Sequence, residues 1–265
     1  GYGLNVPALE RLAAEGYGVL LTVDCGIADV EAIARARELG MTVIVTDHHL
    51  PPEELPPAHA LCNPRLVPAE ECPCPDLAGV GVSFFLMAAI NSLLAERTGR
   101  RYKMDDALDV TALGTLADVM RLTGQNRVLV RGGLEKIAGA RRPGMLALKT
   151  VSGLDPLARL TGGQVVFRLA PRINAAGRMG KADIALRLLR CKDCSEAAGL
   201  AQTLDTLNTE RKQEEERIWT EAREQALQLM ASRPRPGLVV YGPDWHPGII
   251  GIVASRLLEE FYCPT

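Results

Sequence analysis

Two segments decide the fold: Val19-Leu20-Leu21-Thr22-Val23-Asp24-Cys25-Gly26 and Thr42-Val43-Ile44-Val45-Thr46-Asp47-His48-His49. Each is a short apolar, β-branched run that ends abruptly in polar residues, which is the pattern of a buried strand. Between them, residues 29–39 place Val30, Ile33, Ala34 and Leu39 at helical spacing, and Gly40 stops the run. Strand, helix and strand make a βαβ unit, whose right-handed crossover leaves the strands parallel. Asp24 and His48 therefore share the carboxyl edge of the sheet, where open parallel sheets bind ligands.

Working outward, residues 51–75 are rich in Pro and read as an ordered connection, with Leu61-Cys62-Asn63-Pro64 as a short strand and turn. After Gly79-Val80-Gly81-Val82 the pattern becomes helical, over 83–97, 104–117 and 126–138. Residues 195–232 are charged, with Leu200, Leu204, Leu207, Ile218 and Trp219 as a sparse apolar seam, and predict a long exposed linking helix. Pro234-Arg235-Pro236-Gly237 then breaks the chain ahead of a new strand, Leu238-Val239-Val240-Tyr241, and a helix over 249–261. The expected fold is α/β: a parallel-sheet catalytic domain with a helical extension over 1–194, the linking helix over 195–232, and the start of a smaller α/β domain over 233–265.

The 265 residues are 47% apolar and 23% charged, the profile of a folded globular enzyme. A formal net charge of -2 gives no global basic footprint for nucleic acid, although a local stripe fits within it. No uninterrupted apolar run reaches the ~20 residues of a membrane span, and no signal-peptide pattern opens the chain, so a cytoplasmic protein without membrane attachment is expected. Seven cysteines in no regular framework are expected to be reduced thiols. Cys191 and Cys194 form a CxxC pair, but the second pair that zinc needs is missing.

Asp24, Asp47 and Asp118 each close an apolar segment, and two of the four histidines, His48 and His49, are adjacent. A charge at the end of a buried element needs a partner, and Mn2+ or Mg2+ suits imidazole with carboxylates. Consecutive side chains at a strand end diverge, so one histidine can ligate a metal while the other faces substrate. Against this, a lone Asp after a strand is more often a turn or capping residue. Arg172 and Arg178 flank Asn174 as a grip on phosphates, or else cap helix carbonyls. His246, ahead of a helix start that can bind anions, reads equally as a DNA contact or a surface turn. Trp219 and Trp245 are expected to anchor packing rather than stack bases.

Val23-Asp24-Cys25-Gly26, Thr46-Asp47-His48-His49 and Ala117-Asp118-Val119 resemble motifs II, III and IV of the DHH phosphoesterase family in order and spacing. Gly1-Tyr2-Gly3-Leu4-Asn5, Cys62-Asn63-Pro64-Arg65, Ala78-Gly79-Val80-Gly81-Val82, the segment 171–179 and the segment 245–256 are similar to the RecJ-type exonucleases within it. The resemblance implies that Asp24, His48 and Asp118 ligate two Mn2+ or Mg2+ ions and that His49 contacts the scissile phosphate, with Asp47 orienting His48. It assigns DNA contacts to Arg172, Asn174, Arg178 and His246. The implied activity is 5′→3′ hydrolysis of single-stranded DNA to 5′-mononucleotides in recombination and repair, with single-strand-binding protein and a helicase as further partners. A relative acting on short oligonucleotides or small nucleotides is the alternative, and a catalytically dead scaffold a third. The family's first motif, of the form Asp-x-Asp-x-Asp-Gly, is expected ahead of Gly1, and a Gly-Ser-Gly-Arg-Ser segment beyond Thr265. Lacking them, residues 1–265 by themselves are expected to bind metal weakly.

Overall fold

The computed structural model describes residues 3–68, 70–139, 141–232 and 236–265. Gly1, Tyr2, Pro234 and Arg235, on which two of the sequence expectations partly rest, lie outside them. The chain forms two compact units, one of residues 1–139 and 159–166 and the other of 140–158 and 167–265.

In the first unit, β1 (Val19–Val23), β2 (Thr42–Thr46) and β3 (Ala60–Cys62) form a parallel sheet in the order β1-β2-β3. This is the parallel α/β arrangement that the two opening segments predict. Helices α1 (Val6–Ala14) and α2 (Val30–Glu38) close one cluster with β2: Leu9, Ile33, Ala36, Met41, Val43 and Val45 are buried there together. Asn5 caps α1, its side chain accepting from the Ala8 amide, and Gly40 at φ 81° ends the α2 segment, a conformation glycine adopts freely. On β1, Val19, Leu21 and Val23 stay exposed.

Helix α3 (Gly79–Thr98) packs on β1, β2 and α4 (Leu108–Ala117), and α5 (Gly124–Ala138) packs on α4. Among the described residues α3 is long and apolar enough to cross a membrane by length and composition alone, which the search for uninterrupted apolar runs missed because Ser83, Asn91 and Ser92 break the run. Its start is nevertheless built into the unit. Gly79, Gly81 and Val82 are buried, and Asn91 exchanges two hydrogen bonds with the Tyr102 backbone.

The second unit is helical: α6 (Pro143–Val151), α8 (Ala170–Arg178), α9 (Ala182–Arg190), α10 (Cys194–Ser232) and α11 (Pro247–Phe261). A short α7 (Gly162–Gln164), closed by a Thr161–Gln164 capping box in the first unit, runs into a π-helical turn at Val165–Leu169 that leads to α8. The division at 194 and 232 expected from sequence is not where the contacts divide the chain. Helix α10 is the spine of the second unit, packing on α6, α8, α9 and α11. Its buried face is built from Ala197, Ala201, Leu204, Leu207, Ile218, Ala222 and Ala226. The alanines bring neighbours close at little entropic cost, so a charged helix is buried without a conspicuous leucine stripe. The expected strand Leu238–Tyr241 has no strand partner among the described residues. Leu238 is held by its amide to the Pro264 carbonyl and by packing on α11, and the Tyr241 backbone pairs with the Gln225 side chain.

Candidate metal centre

Register places the site. Val23 pairs with Thr46 and Thr46 with Cys62, so the residues that follow the three strands lie side by side along one edge. The Asp24 amide extends the ladder to the Thr46 carbonyl at 2.9 Å, and the chain then leaves the strand with Asp24 at φ 64°. That left-handed conformation is uncommon outside glycine, although Asp tolerates it better than most residues. Gly26 at φ 113° completes the turn, where a side chain would collide with Thr22 and Val45. Helix α3 begins against the same carboxylate, since a Cβ at Gly79 would overlap Asp24 Oδ1. The requirement for glycine at the first position of α3 follows from that approach.

His48 is buried, with Nε2 at 3.0 Å from Asp24 Oδ1 and 3.5 Å from Asp118 Oδ2. Asp118 comes from the end of α4, where Val119 follows at φ 54° with its side chain exposed. A β-branched residue in that region is strained by roughly 1–3 kcal/mol, so the turn presenting Asp118 is held by its surroundings. The expectation that Asp24, His48 and Asp118 converge is thus met in space.

The two histidine rings lie side by side, His48 buried and His49 exposed. Their ring centroids are 4.5 Å apart, and a ligand atom of His49 lies within 4.8 Å of those of Asp24 and His48. Asp47 corrects the reading, for it holds His49 rather than the His48 ring. Its buried carboxylate accepts from His49 Nδ1 at 2.7 Å, from the amides of His48 at 2.7 Å and His49 at 3.2 Å, and from the Ile27 amide at 2.9 Å. A carboxylate behind one ring nitrogen fixes the tautomer and turns the other nitrogen outward. The loop is braced from β3 as well, where Asn63 Nδ2 donates to the His49 carbonyl and Arg65 Nε to the His48 carbonyl. Sequence reasoning gave neither Asn63 nor Arg65 a role, although both stand in the Cys62-Asn63-Pro64-Arg65 segment it singled out.

The electrostatics follow from this crowding. The hydrogen bond to Asp24 raises the His48 pKa above its ordinary value, burial opposes this, and the charges of Asp118, Asp24 and Asp47 add to the rise. Burial raises the Asp118 carboxyl, helped by the Asp24 charge and opposed by His48. For Asp47 burial pushes upward, but the four hydrogen bonds outweigh it and hold the carboxyl below its usual value. The His48 imidazole and the Asp118 carboxyl are thus both shifted upward.

The donor set fits a small hard cation. Adjacent ligands of an octahedral Mg2+ or Mn2+ at about 2.1 Å stand about 3.0 Å apart, which is the distance from His48 Nε2 to Asp24 Oδ1, with Asp118 Oδ2 at 3.5 Å from the same nitrogen. His48 Nδ1 is buried and without a partner, so the Nε2 face is the one this ring offers to a ligand. The apolar pocket of about 340 Å3 in the same unit, walled by Cys62, Cys74, Leu77, Val82 and Phe85, contains none of these donors.

Residues 6–115 match the DHH family, N-terminal domain. The RecJ protein of Salmonella typhimurium, a single-stranded-DNA-specific exonuclease, is 42% identical over 274 residues, spanning 100% of this chain and 47% of that protein. Over residues 6–115 the chain is thus similar to a DHH-family N-terminal domain. Among solved structures, RecJ of Thermus thermophilus in complex with Mn2+ superposes with a TM-score of 0.80 at 38% identity, over 97% of this chain and 37% of that one. A second manganese-bound exonuclease RecJ superposes at 0.82 with 37% identity, over 99% of this chain and 63% of that one. The chain spans about half the length of the curated relatives it matches.

The residues expected to touch DNA in the second unit are placed differently. The Arg172 guanidinium is taken up internally, by Asp205 at 2.7 Å and by the carbonyls of Arg168 and Val151, which ties α8 to α10 and α6. Arg178 donates to the Gly248 carbonyl at 3.0 Å, and His246 caps α11 by accepting from the Gly248 amide. Only Asn174 is exposed among the four. Trp219 lies under Arg256, 4.1 Å away, and Trp245 donates to Glu221, so both act as packing anchors. Cys191 bonds to Asp193 and Glu196, and no metal cluster among the described residues includes Cys194.

Proposed function

We propose that the protein carrying this chain is a metal-dependent 5′→3′ exonuclease that cleaves single-stranded DNA to 5′-mononucleotides. The observation that carries this is the convergence of Asp24, His48 and Asp118 beside a His49 backed by Asp47. The names and bound Mn2+ of the similar proteins supply the substrate class. Asp24, His48 and Asp118 would hold the cations, two Mn2+ or Mg2+ ions. When bound, these lower the pKa of an attacking water and neutralise the charge gathering on the phosphoryl oxygens.

The chain's own residues do the rest. Asp47 holds the His49 ring in one orientation, so its outward edge faces the strand without reorganisation. Asn63 and Arg65 fix the backbone that carries both rings. The start of α3 excludes bulk beside Asp24 and keeps its carboxylate directed at the site. Asn174, exposed on α8, is the first of the second-unit residues to test as a DNA contact. Arg172, Arg178 and His246 act on that surface through the packing they hold.

An exonuclease confined to single strands needs them opened and kept open. A helicase and a single-strand-binding protein do that work, and they belong to this proposal together with a cytoplasmic location and a place in recombination and repair.

The test is Mn2+-dependent release of nucleotides from 5′-labelled single-stranded DNA by the full protein, compared with duplex and with a dinucleotide, and with Asp24→Ala as control. Release from the single strand that is lost in the variant is the expected result. Preference for the dinucleotide would replace this reading with a small-nucleotide phosphodiesterase.

A further inference from the structure

Three parallel strands end side by side, and each delivers a polar group to the same edge: Asp24 after β1, Asp47-His48-His49 after β2, and Asn63-Pro64-Arg65 after β3. The first two deliver the metal donors and His49. The third delivers a cation. We propose that Arg65 binds a phosphate of the nucleic-acid strand next to the one being cleaved, an inference that rests on the exonuclease reading above.

The side chain is held at one point and free at the other. Asn63, 6% exposed, accepts the Arg65 amide at 2.9 Å through Oδ1 and donates to the His49 carbonyl at 2.9 Å through Nδ2. Pro64 sets the backbone of the short helical turn over Pro64–Leu66. Arg65 Nε then donates to the His48 carbonyl at 2.8 Å, which fixes the guanidinium plane against the loop that carries the reacting groups. Residue 65 is exposed overall, and among the described residues its two terminal amino groups have no hydrogen-bond or ion-pair partner. Most arginines of this chain that are pinned by Nε spend the remaining nitrogens on a carboxylate, as Arg35, Arg172, Arg217 and Arg223 do.

The chemistry of that free edge is specific. A planar pair of amino groups matches two oxygens of a phosphodiester, and preorganisation by Nε removes part of the rotamer entropy that an arginine loses on binding. The surroundings are acidic, with Asp24 and Asp47 on the neighbouring strand ends and Asp118 at the end of α4, yet Arg65 forms no ion pair with any of them. Its charge is left for an anion that arrives from solution. A phosphate contact of this kind fixes register and carries no base preference.

The test compares the full protein with Arg65→Met and Arg65→Lys. Binding of a fluorescein-labelled oligothymidylate is followed between roughly 50 and 200 mM salt without divalent cation, so that the strand is not cut. Loss of one phosphate contact on a single strand lowers the slope of log affinity against log salt by about 0.7, equally for other base sequences. Arg65→Met is expected to show that drop, with Mn2+ affinity within about twofold of the parent, and Arg65→Lys to restore the slope. An unchanged slope with weakened Mn2+ binding would make Arg65 a brace of the His48–His49 loop only and overturn the proposal. If the parent neither binds nor cuts single strands while it hydrolyses a dinucleotide, the exonuclease reading itself has failed, and this proposal falls with it.

Discussion

Asp47→Asn is the substitution whose consequences the structure fixes most tightly. The carboxylate is 1% exposed and accepts four hydrogen bonds, one of them from the Ile27 amide to the oxygen that the histidine does not use. In the asparagine variant Oδ1 can still serve the loop amides and His49, but Nδ2 then faces the Ile27 N–H donor to donor. Leaving that buried amide unsatisfied costs roughly 1–3 kcal/mol, and turning the remaining bonds from charge-assisted to neutral takes away about 1–2 more. The sum is about 2–5 kcal/mol of unfolding free energy, read from urea denaturation at pH 7. The pH dependence has a definite sign. Because the folded-state pKa of Asp47 lies below the ordinary 3.8, its contribution is present above that value and is lost as pH falls through the depressed one. The gap between parent and variant therefore narrows only in strong acid. A variant within 0.5 kcal/mol of the parent at pH 7, on the order of a surface substitution, would refute this account of how the loop is held.

Three further outcomes follow from the same geometry. Gly79→Ala, which gains up to about 1 kcal/mol of helix propensity, is expected to weaken Mn2+ affinity about tenfold by displacing Asp24, as calorimetric titration would read. His48 has a folded pKa raised above 6.5, so without metal its contribution to stability is full below 6.5 and is lost as pH rises through the raised value; comparing His48→Gln with the parent across pH 5 to 9 checks this, and Mn2+ affinity is expected to weaken over the same range as pH falls and the proton returns. Arg172→Met leaves Asp205 and two carbonyls without their partner, at roughly 2–4 kcal/mol, and is expected to lower the melting temperature rather than the salt slope of DNA binding.

What the sequence disclosed and what it hid divide along physical lines. The parallel sheet was legible because β-branched runs such as Thr42–Thr46 are read locally, and Asp24 and His48 followed from the topology that such a unit must adopt. Asp118 stood out as a carboxylate closing an apolar segment, but only the resemblance placed it with them, since nothing local says that the end of α4 reaches β2. The partner of Asp47 was misread because the choice between His48 and His49 depends on rotamers within three consecutive residues. Helix α10 was taken for an exposed linker because its buried face is largely alanine, which carries little apolar signal among so many charges. The Arg172–Asp205 pair was not legible because Asp205 stands 33 residues away and on another helix. Leu238–Tyr241 has the composition of a strand, but a strand exists only where another pairs with it.

The central claim is that Asp24, His48 and Asp118 together form a divalent-cation site beside His49. The most direct measurement is the anomalous difference density of crystals of this protein soaked in Mn2+. The account predicts a peak bounded by those three side chains that disappears in the Asp24→Ala variant. A protein that cleaves single-stranded DNA with Mn2+ while its only manganese peak lies away from Asp24, His48 and Asp118 would contradict it.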